Sequence, residues 1–316
     1  MKPLNLIIIL ALALSSGLFA QEPKPAATPV GPTVQLSLIV TDSKDKSLNA
    51  ITKEEVHLVE DKVEQTVLSV APDQRPVDLG IAVDASGSMR RLTDATVEAA
   101  KLIVVNRQPK DEIFLERFIS TDKVQRLHDF STNVKSLAAA LDSILVEGGQ
   151  SAIIDALYTA SQYVAEHNRG ADRRKVLVVI TDGEDRNSRT KLDDLLKLVH
   201  EKGVQIFVVG LTVDLNNESS ATRPSPRDKA EKLLKTLAEE TGGRTFFPKS
   251  KDELNDSVAQ IVHDLQGQFR ITYQSSNAEP KGFRKVEVKL SPADGQKRKA
   301  IVQNGYDPAF LTKQKP

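Results

Sequence analysis

The sequence predicts an α/β protein: a doubly wound, mostly parallel sheet with helices on both faces, plus a small β-sandwich-like module formed from the N- and C-terminal strands. Three observations carry this. Residues 77–84 (VDLGIAVD), 176–181 (VLVVIT) and 204–211 (VQIFVVGL) are nearly continuous apolar runs, the pattern of strands buried on both faces of a parallel sheet. Between and after these runs, apolar residues recur at helical spacing: Leu137, Leu141, Ile144 and Leu145; Leu192, Leu195, Leu196 and Val199; Leu254, Val258, Ile261, Val262 and Leu265. Outside 77–267 the pattern becomes the alternation of half-buried antiparallel strands.

In chain order, Lys2 precedes an apolar stretch at 4–14 (LNLIIILALAL), then Ser15, Ser16 and Gly17, ending at Ala20. This is the order of a secretory signal peptide over residues 1–20, with cleavage expected after Ala20. The apolar run is shorter than the ~20 residues needed to span a bilayer, and no Cys follows it for lipid attachment. The expectation is therefore an exported chain, secreted or periplasmic, with no membrane span after cleavage. Residues 21–32 (QEPKPAATPVGP) read as a flexible Pro/Ala-rich linker.

Residues 33–76 form an N-terminal β-rich segment. A strand at 33–41 precedes the polar turn DSKDKS, and Thr52 with Glu55 fits a capping box over a single helical turn. Strands follow at 57–60 and 64–70, then a linker at 72–76. The C-terminal β-rich segment, 268–316, offers strands at 268–274 (QFRITYQ), 284–290 (RKVEVKL) and 300–303. Neither end has apolar residues enough for a core of its own, so the two should pack together.

The centre, 77–267, adds two shorter strands at 112–119 and 124–130, separated by Ser-Thr-Asp-Lys: a hairpin, hence one antiparallel edge. Residues 243–247 should be its last strand. Ser225-Pro226 supplies an N-cap followed by Pro at the first helical position, and Ser250 with Glu253 a capping box. In a doubly wound sheet, ligands bind beyond the carboxyl ends of the strands near the switch in strand order. Function should then lie just after Asp84, Thr181 and Leu211.

Composition excludes several classes. Lys and Arg number 43 against 43 Asp and Glu, whereas a nucleic-acid binder needs a basic surplus to neutralise phosphates. With no Cys there is no disulfide framework, thiolate zinc site, iron–sulfur cluster or thiol nucleophile. With no Trp, 4 Tyr and 10 Phe, stacking platforms for bases or sugars are disfavoured.

The chemistry gathers at the predicted strand ends. Asp84, Ser86 and Ser88 follow the first central strand, with Gly87 allowing a tight turn. Asp182 follows the 176–181 strand, and Ser151 stands where a helix begins. Two carboxylates and three hydroxyls are hard oxygen donors that suit Mg²⁺, or Mn²⁺ and Ca²⁺, far better than zinc or copper. Taken singly, Asp84 and Asp182 are equally well read as helix caps or loop acids. Glu184 and Asp185 read first as solvated loop acids. The five histidines are scattered without ligand spacing. Arg169, Arg173, Arg174 and Lys175 read as a solvated run ahead of a buried strand.

At these motifs the centre resembles a von Willebrand factor type A (VWA) domain, through DxSxS (Asp84, Ser86, Ser88) and the TDG segment (Thr181, Asp182, Gly183). The resemblance implies a metal-ion-dependent adhesion site (MIDAS). In it Ser86 and Ser88 would ligate the metal directly, and Asp84 and Asp182 directly or through water. The family's third loop supplies a Thr; here Ser151, placed before Ile154-Asp155-Ala156-Leu157, keeps the hydroxyl and loses the methyl. The layout is also similar to a group of secreted bacterial VWA-related proteins, through Glu60-Asp61-Lys62-Val63-Glu64-Gln65, QFRITYQ and Gly305-Tyr306. The implied function is non-enzymatic: a protein ligand presenting an acidic side chain completes the metal's coordination. The alternative is an envelope structural or assembly protein that packs without metal. A hydrolase would need Glu184 as general base; no positioned His activates Ser86, and GxSxG is absent. Residues 214–227 form a long polar segment on the same rim, expected either to shape the partner surface or to be a solvated loop.

Overall fold

The computed structural model describes residues 31–167, 172–219, 223–292 and 294–311. The expected signal peptide, nearly all of the linker, Arg169 and residues 220–222 lie outside these. Among the described residues, fourteen strands and six α-helices run in chain order. The strands are β1 Thr33–Asp42, β2 Val56–Glu60, β3 Val63–Gln65, β4 Val67–Pro72, β5 Val77–Asp84, β6 Glu112–Ser120, β7 Lys123–Ser131, β8 Arg174–Thr181, β9 Val204–Gly210, β10 Thr245–Phe246, β11 Phe269–Gln274, β12 Arg284–Leu290, β13 Arg298–Ile301 and β14 Gly305–Tyr306. The helices are α1 Thr93–Val105, α2 Val134–Asp142, α3 Ile153–Glu166, α4 Leu192–Lys202, α5 Pro226–Thr241 and α6 Lys251–Gly267.

The central sheet has the order β10-β9-β8-β5-β6-β7. All its pairings are parallel except the β6–β7 hairpin at one edge. Every residue of β5, β9 and nearly every residue of β8 is buried, which is why these strands carry no polar alternation. On one face Leu79, Ile81 and Val83 meet α1, α2 and α6 through residues such as Ile103, Leu141 and Ile261. On the other, Ala82, Leu177 and Val179 meet α3, α4 and α5 through Leu157, Leu195 and Leu234. The chain winds outward from β5 to β6 and β7, then returns to β8 on the other side. The switch point is therefore the gap between the ends of β5 and β8.

Packing there leaves no room for a methyl at Gly80. An added Cβ would meet Phe114 Cζ at 2.3 Å and Leu177 Cδ2 at 2.5 Å. Gly80→Ala is expected to lower unfolding free energy by about 1–3 kcal/mol, the range for overpacked cores, as read by urea denaturation.

The two ends of the chain build two four-stranded sheets, β13-β1-β11-β4 and β14-β12-β2-β3. Between them lies a core including Leu36, Leu58, Ile271, Tyr273 and Val286. Each sheet mixes both ends of the chain: β1 pairs with β11, and β12 with β2. Either segment alone would expose its ladder and its apolar face.

The residues of the outer resemblance meet inside this module. Glu60 Oε2 accepts from the hydroxyls of Tyr273 at 2.7 Å and Tyr306 at 2.9 Å, and Oε1 accepts from Ser275 Oγ at 2.6 Å. Arg284 pairs with Glu60 at 3.4 Å and also donates to Ser275 and Tyr306. Asp61 takes the positive φ of the β2–β3 turn and accepts from Lys285 N. Gln65 makes two hydrogen bonds to Ser276.

Several local expectations are corrected. The segment 64–70 is divided between β3 and β4. Thr52 makes no side-chain cap hydrogen bond, and the Glu55 carboxylate forms an ion pair with Arg298 at 2.7 Å in place of reaching back to the cap. Ser250 does cap α6, but Glu253 accepts from Lys249 N and not from its own N-cap. The described part of the basic run is not solvated: Arg173 Nε lies 2.6 Å from Asp78, and Arg174 is buried with its guanidinium donating to Leu265 O. The run enters β8 between the start of β5 and the end of α6, so packing covers it.

Candidate metal centre

Three loops bring the predicted donors to the switch point. Asp84 is the last residue of β5, and the chain then turns through a single 3-10 segment, Gly87–Arg91. Met89 N donates to Ser86 O at 3.1 Å and Leu92 N to Met89 O at 2.9 Å. Met89, wholly buried, anchors the turn from below. Ser86 N donates to Asp84 Oδ1 at 2.9 Å, and Ser86 Oγ and Ser88 Oγ are 3.3 Å apart.

The second loop carries Ser151, whose hydroxyl donates to Asp84 Oδ2 at 3.0 Å. The third follows β8: Thr181 Oγ1 donates to the same Asp84 Oδ2 at 2.6 Å, and Asp182 Oδ1 accepts from Glu184 N. Gly183, at φ +85°, makes the turn, and a side chain there would strike Leu234 and Ala230 of α5. Asp84, Ser86, Ser151 and Asp182 are buried, while Ser88 is exposed. Ser88 and Asp182 line a cleft of about 540 Å³ together with Arg90, Arg91, Leu211 and Asp214.

Burial pushes the Asp84 carboxyl up to about 6, and the nearby charge of Asp182 adds to this; hydrogen bonds from Thr181 and Ser86 pull the other way. Neither Asp84 nor Asp182 has an ion-pair partner among the described residues. Two carboxylates at one buried point without a cation fit a hard dication, and the donor set contains only oxygen.

Three residues received too little weight in the sequence. Thr181, part of the TDG segment, is the shortest hydrogen bond to Asp84. Asp185 is not a free loop acid: its Oδ1 accepts from Ile153 N at 2.7 Å and so caps α3, whose own N-cap, Ala152, has no polar side chain. Asp155 accepts from Thr121 Oγ1, Arg189 N and Thr190 N, fixing the β6–β7 turn and the loop after β8 behind Ser151. Burial raises the Asp155 carboxyl, but these hydrogen bonds outweigh it and hold it below the usual range. The sequence signal was an acid in the first turn of a helix, which is too common to single out.

Glu184 is ion-paired with Arg186. The 214–227 segment is tied down where described: Arg227 donates to Thr212 O and Leu215 O, and Ser219 Oγ donates to Asp228 at 2.7 Å. Histidine spacing missed one contact, because distant strands make it. His167 Nε2 lies 2.7 Å from Glu112, and these two with Asp78 form the group of potential ligands at the opposite end of the sheet. Arg173 already supplies a cation to Asp78 there, and His167 stacks on Phe130 at 3.6 Å.

The family model for the von Willebrand factor type A domain matches residues 78–261. The chain belongs to the von Willebrand factor type A domain family. The match covers the central sheet and all three loops of the VWA site. Similar solved structures include an aerotolerance-related membrane protein from Bacteroides fragilis at 21% identity, covering 59% of this chain and 98% of that one with a TM-score of 0.46. A von Willebrand factor type A protein from Catenulispora acidiphila is 12% identical, covers 89% of this chain and 75% of its own, and scores 0.47. Proximal thread matrix protein 1 from the mussel byssus, solved with a zinc-occupied MIDAS motif, is 19% identical over 64% of this chain and 48% of that one, at 0.48. No curated protein sequence matches the chain. No described helix is long and apolar enough to cross a membrane.

Proposed function

We propose that this chain is an exported, non-enzymatic binding protein. It holds one Mg²⁺, or Mn²⁺ or Ca²⁺ in its place, with Asp84, Ser86, Ser88, Ser151 and Asp182. A carboxylate from a protein partner completes the coordination. The reading is supported above all by the three loops that carry Asp84, Ser86, Ser88, Ser151 and Asp182 lying beside the switch point, with neither carboxylate ion-paired among the described residues. Two carboxylates only just neutralise a divalent ion, and hydroxyl donors add no charge. An anionic oxygen therefore gains more from the remaining position than water does. In this proposal residues 77–267 are the binding domain, and 33–76 with 268–316 are its supporting module.

Titration calorimetry of residues 21–316 with Mg²⁺ and Mn²⁺ tests the reading. The expected result is saturable binding at one site, weakened at least about 100-fold in Asp84→Ala and in Asp182→Ala. The Asp182 side chain accepts one hydrogen bond, from Glu184 N in its own loop, so its variant should retain the parent's circular dichroism and melting profile. Absence of metal binding by the folded parent would overturn the proposal and leave metal-independent packing as the reading to pursue.

A further inference from the structure

The charges around the cleft are mostly matched. Glu184 pairs with Arg186, Glu147 with Arg117 at 2.9 Å and Lys123 at 3.0 Å, and Arg189 with Asp122 at 3.2 Å. Among the basic side chains, Arg90 and Arg91 are the exception. Both are exposed, both line the cleft beside Ser88 and Asp182, and neither has an ion pair or side-chain hydrogen bond among the described residues. Their backbone is nevertheless fixed. They close the same 3-10 turn that carries Ser86 and Ser88, buried Met89 anchors it, and Thr93 Oγ1 donates back to Met89 O at 3.1 Å and Arg90 O at 3.3 Å. Two guanidiniums are thus held two and three residues beyond Ser88, on a rigid support, with their charge unspent.

A guanidinium offers planar paired donors that match a carboxylate, and such charge-assisted contacts are stronger than neutral ones. The segment after β9 also lines the cleft, with Leu211, Asp214 and Leu215. Asp214 would repel an acid on that side, so a second anionic group is directed toward the arginine wall. We infer that the partner segment carries two neighbouring carboxylates, one for the metal position and one for Arg90 and Arg91, so that the site selects a di-acidic peptide over a mono-acidic one. This deepens the metal-binding reading above and rests on it.

The test uses the chain 21–316 in Mg²⁺ with two synthetic peptides of equal length. One carries a single Asp in a Gly/Ser background, and the other two Asp separated by one residue. Fluorescence anisotropy should show the two-Asp peptide binding about tenfold tighter or more. In Arg90→Ala/Arg91→Ala that preference should fall to within about twofold, while calorimetric Mg²⁺ affinity stays at the parent's value. Arg90→Lys/Arg91→Lys should keep part of the preference, since it retains charge without the paired donors. Equal binding of both peptides by the parent, or a preference unchanged in the alanine variant, would overturn the inference. Failure to bind either peptide by a protein that binds Mg²⁺ would overturn it too. A parent that binds no Mg²⁺ instead removes the underlying reading, and the metal titration alone reveals which has failed.

Discussion

Glu60→Ala is expected to destabilise the chain by about 3–5 kcal/mol, the range for removing one partner of a buried ion pair. Both side chains of the Glu60–Arg284 pair are almost wholly buried, at 1% and 2% exposure. Removing the carboxylate strands the Arg284 charge and takes the acceptor from the hydroxyls of Tyr273, Tyr306 and Ser275. These residues come from β2, β11, β12 and β14 and from the turn after β11, so the loss reaches both sheets. Guanidinium denaturation should show a lower midpoint for Glu60→Ala. Glu60→Leu/Arg284→Met, which removes both charges, should recover much of the loss. A single variant as stable as the parent would show that the network contributes no net stability.

The second large effect is in pH dependence. Glu116 sits on β6 directly opposite Arg126 of β7, at 3.1 Å, with its side chain 2% exposed. Burial pushes its carboxyl from the ordinary 4.5 up to about 7, although the hydrogen bond and charge of Arg126 pull it down. Because the folded chain keeps a proton that the unfolded chain releases, this group stabilises the fold fully below pH 4.5. That contribution drains away as pH rises, and is gone above about 7. By linkage the change is about 3 kcal/mol across the window. Asp84 shifts in the same direction, so the parent must be compared with Glu116→Gln, which cannot titrate. Urea unfolding at pH 5 and pH 8 should show the parent losing about 2–3 kcal/mol more than the variant. Parallel behaviour of the two proteins would refute the assignment. Arg126 should keep its place in either case, because its guanidinium lies 3.3 Å above the Tyr163 ring.

The central fold was legible because burial on two faces leaves a mark that burial on one face does not. Runs such as VLVVIT admit few interpretations once helical spacing follows them. The order of Asp84, Ser151 and Asp182 along the chain was legible for the same reason: each sits where such a run or a glycine-rich turn ends. Short strands were harder. β10 has two residues and β14 two, and neither is long enough for alternation to be seen. Caps were harder still. Thr52 and Glu55 have the right identities and spacing, yet a partner 243 residues away, Arg298, takes Glu55.

By itself the sequence determined the α/β class, the main strands that form the sheet and the exclusion of thiol chemistry. All of these follow from residue type and local period, which the chain carries wherever it folds. Only the tertiary structure decided that Thr181 and Ser151 share one oxygen of Asp84, and that Asp185 and not Ala152 caps α3. It also decided that Glu60 and Arg284 are buried against each other, and that Arg90 and Arg91 have no ion-pair partner among the described residues. Those are contacts between residues far apart in sequence. Their identity depends on which loops the strand order brings to one end of the sheet, and no local pattern records that.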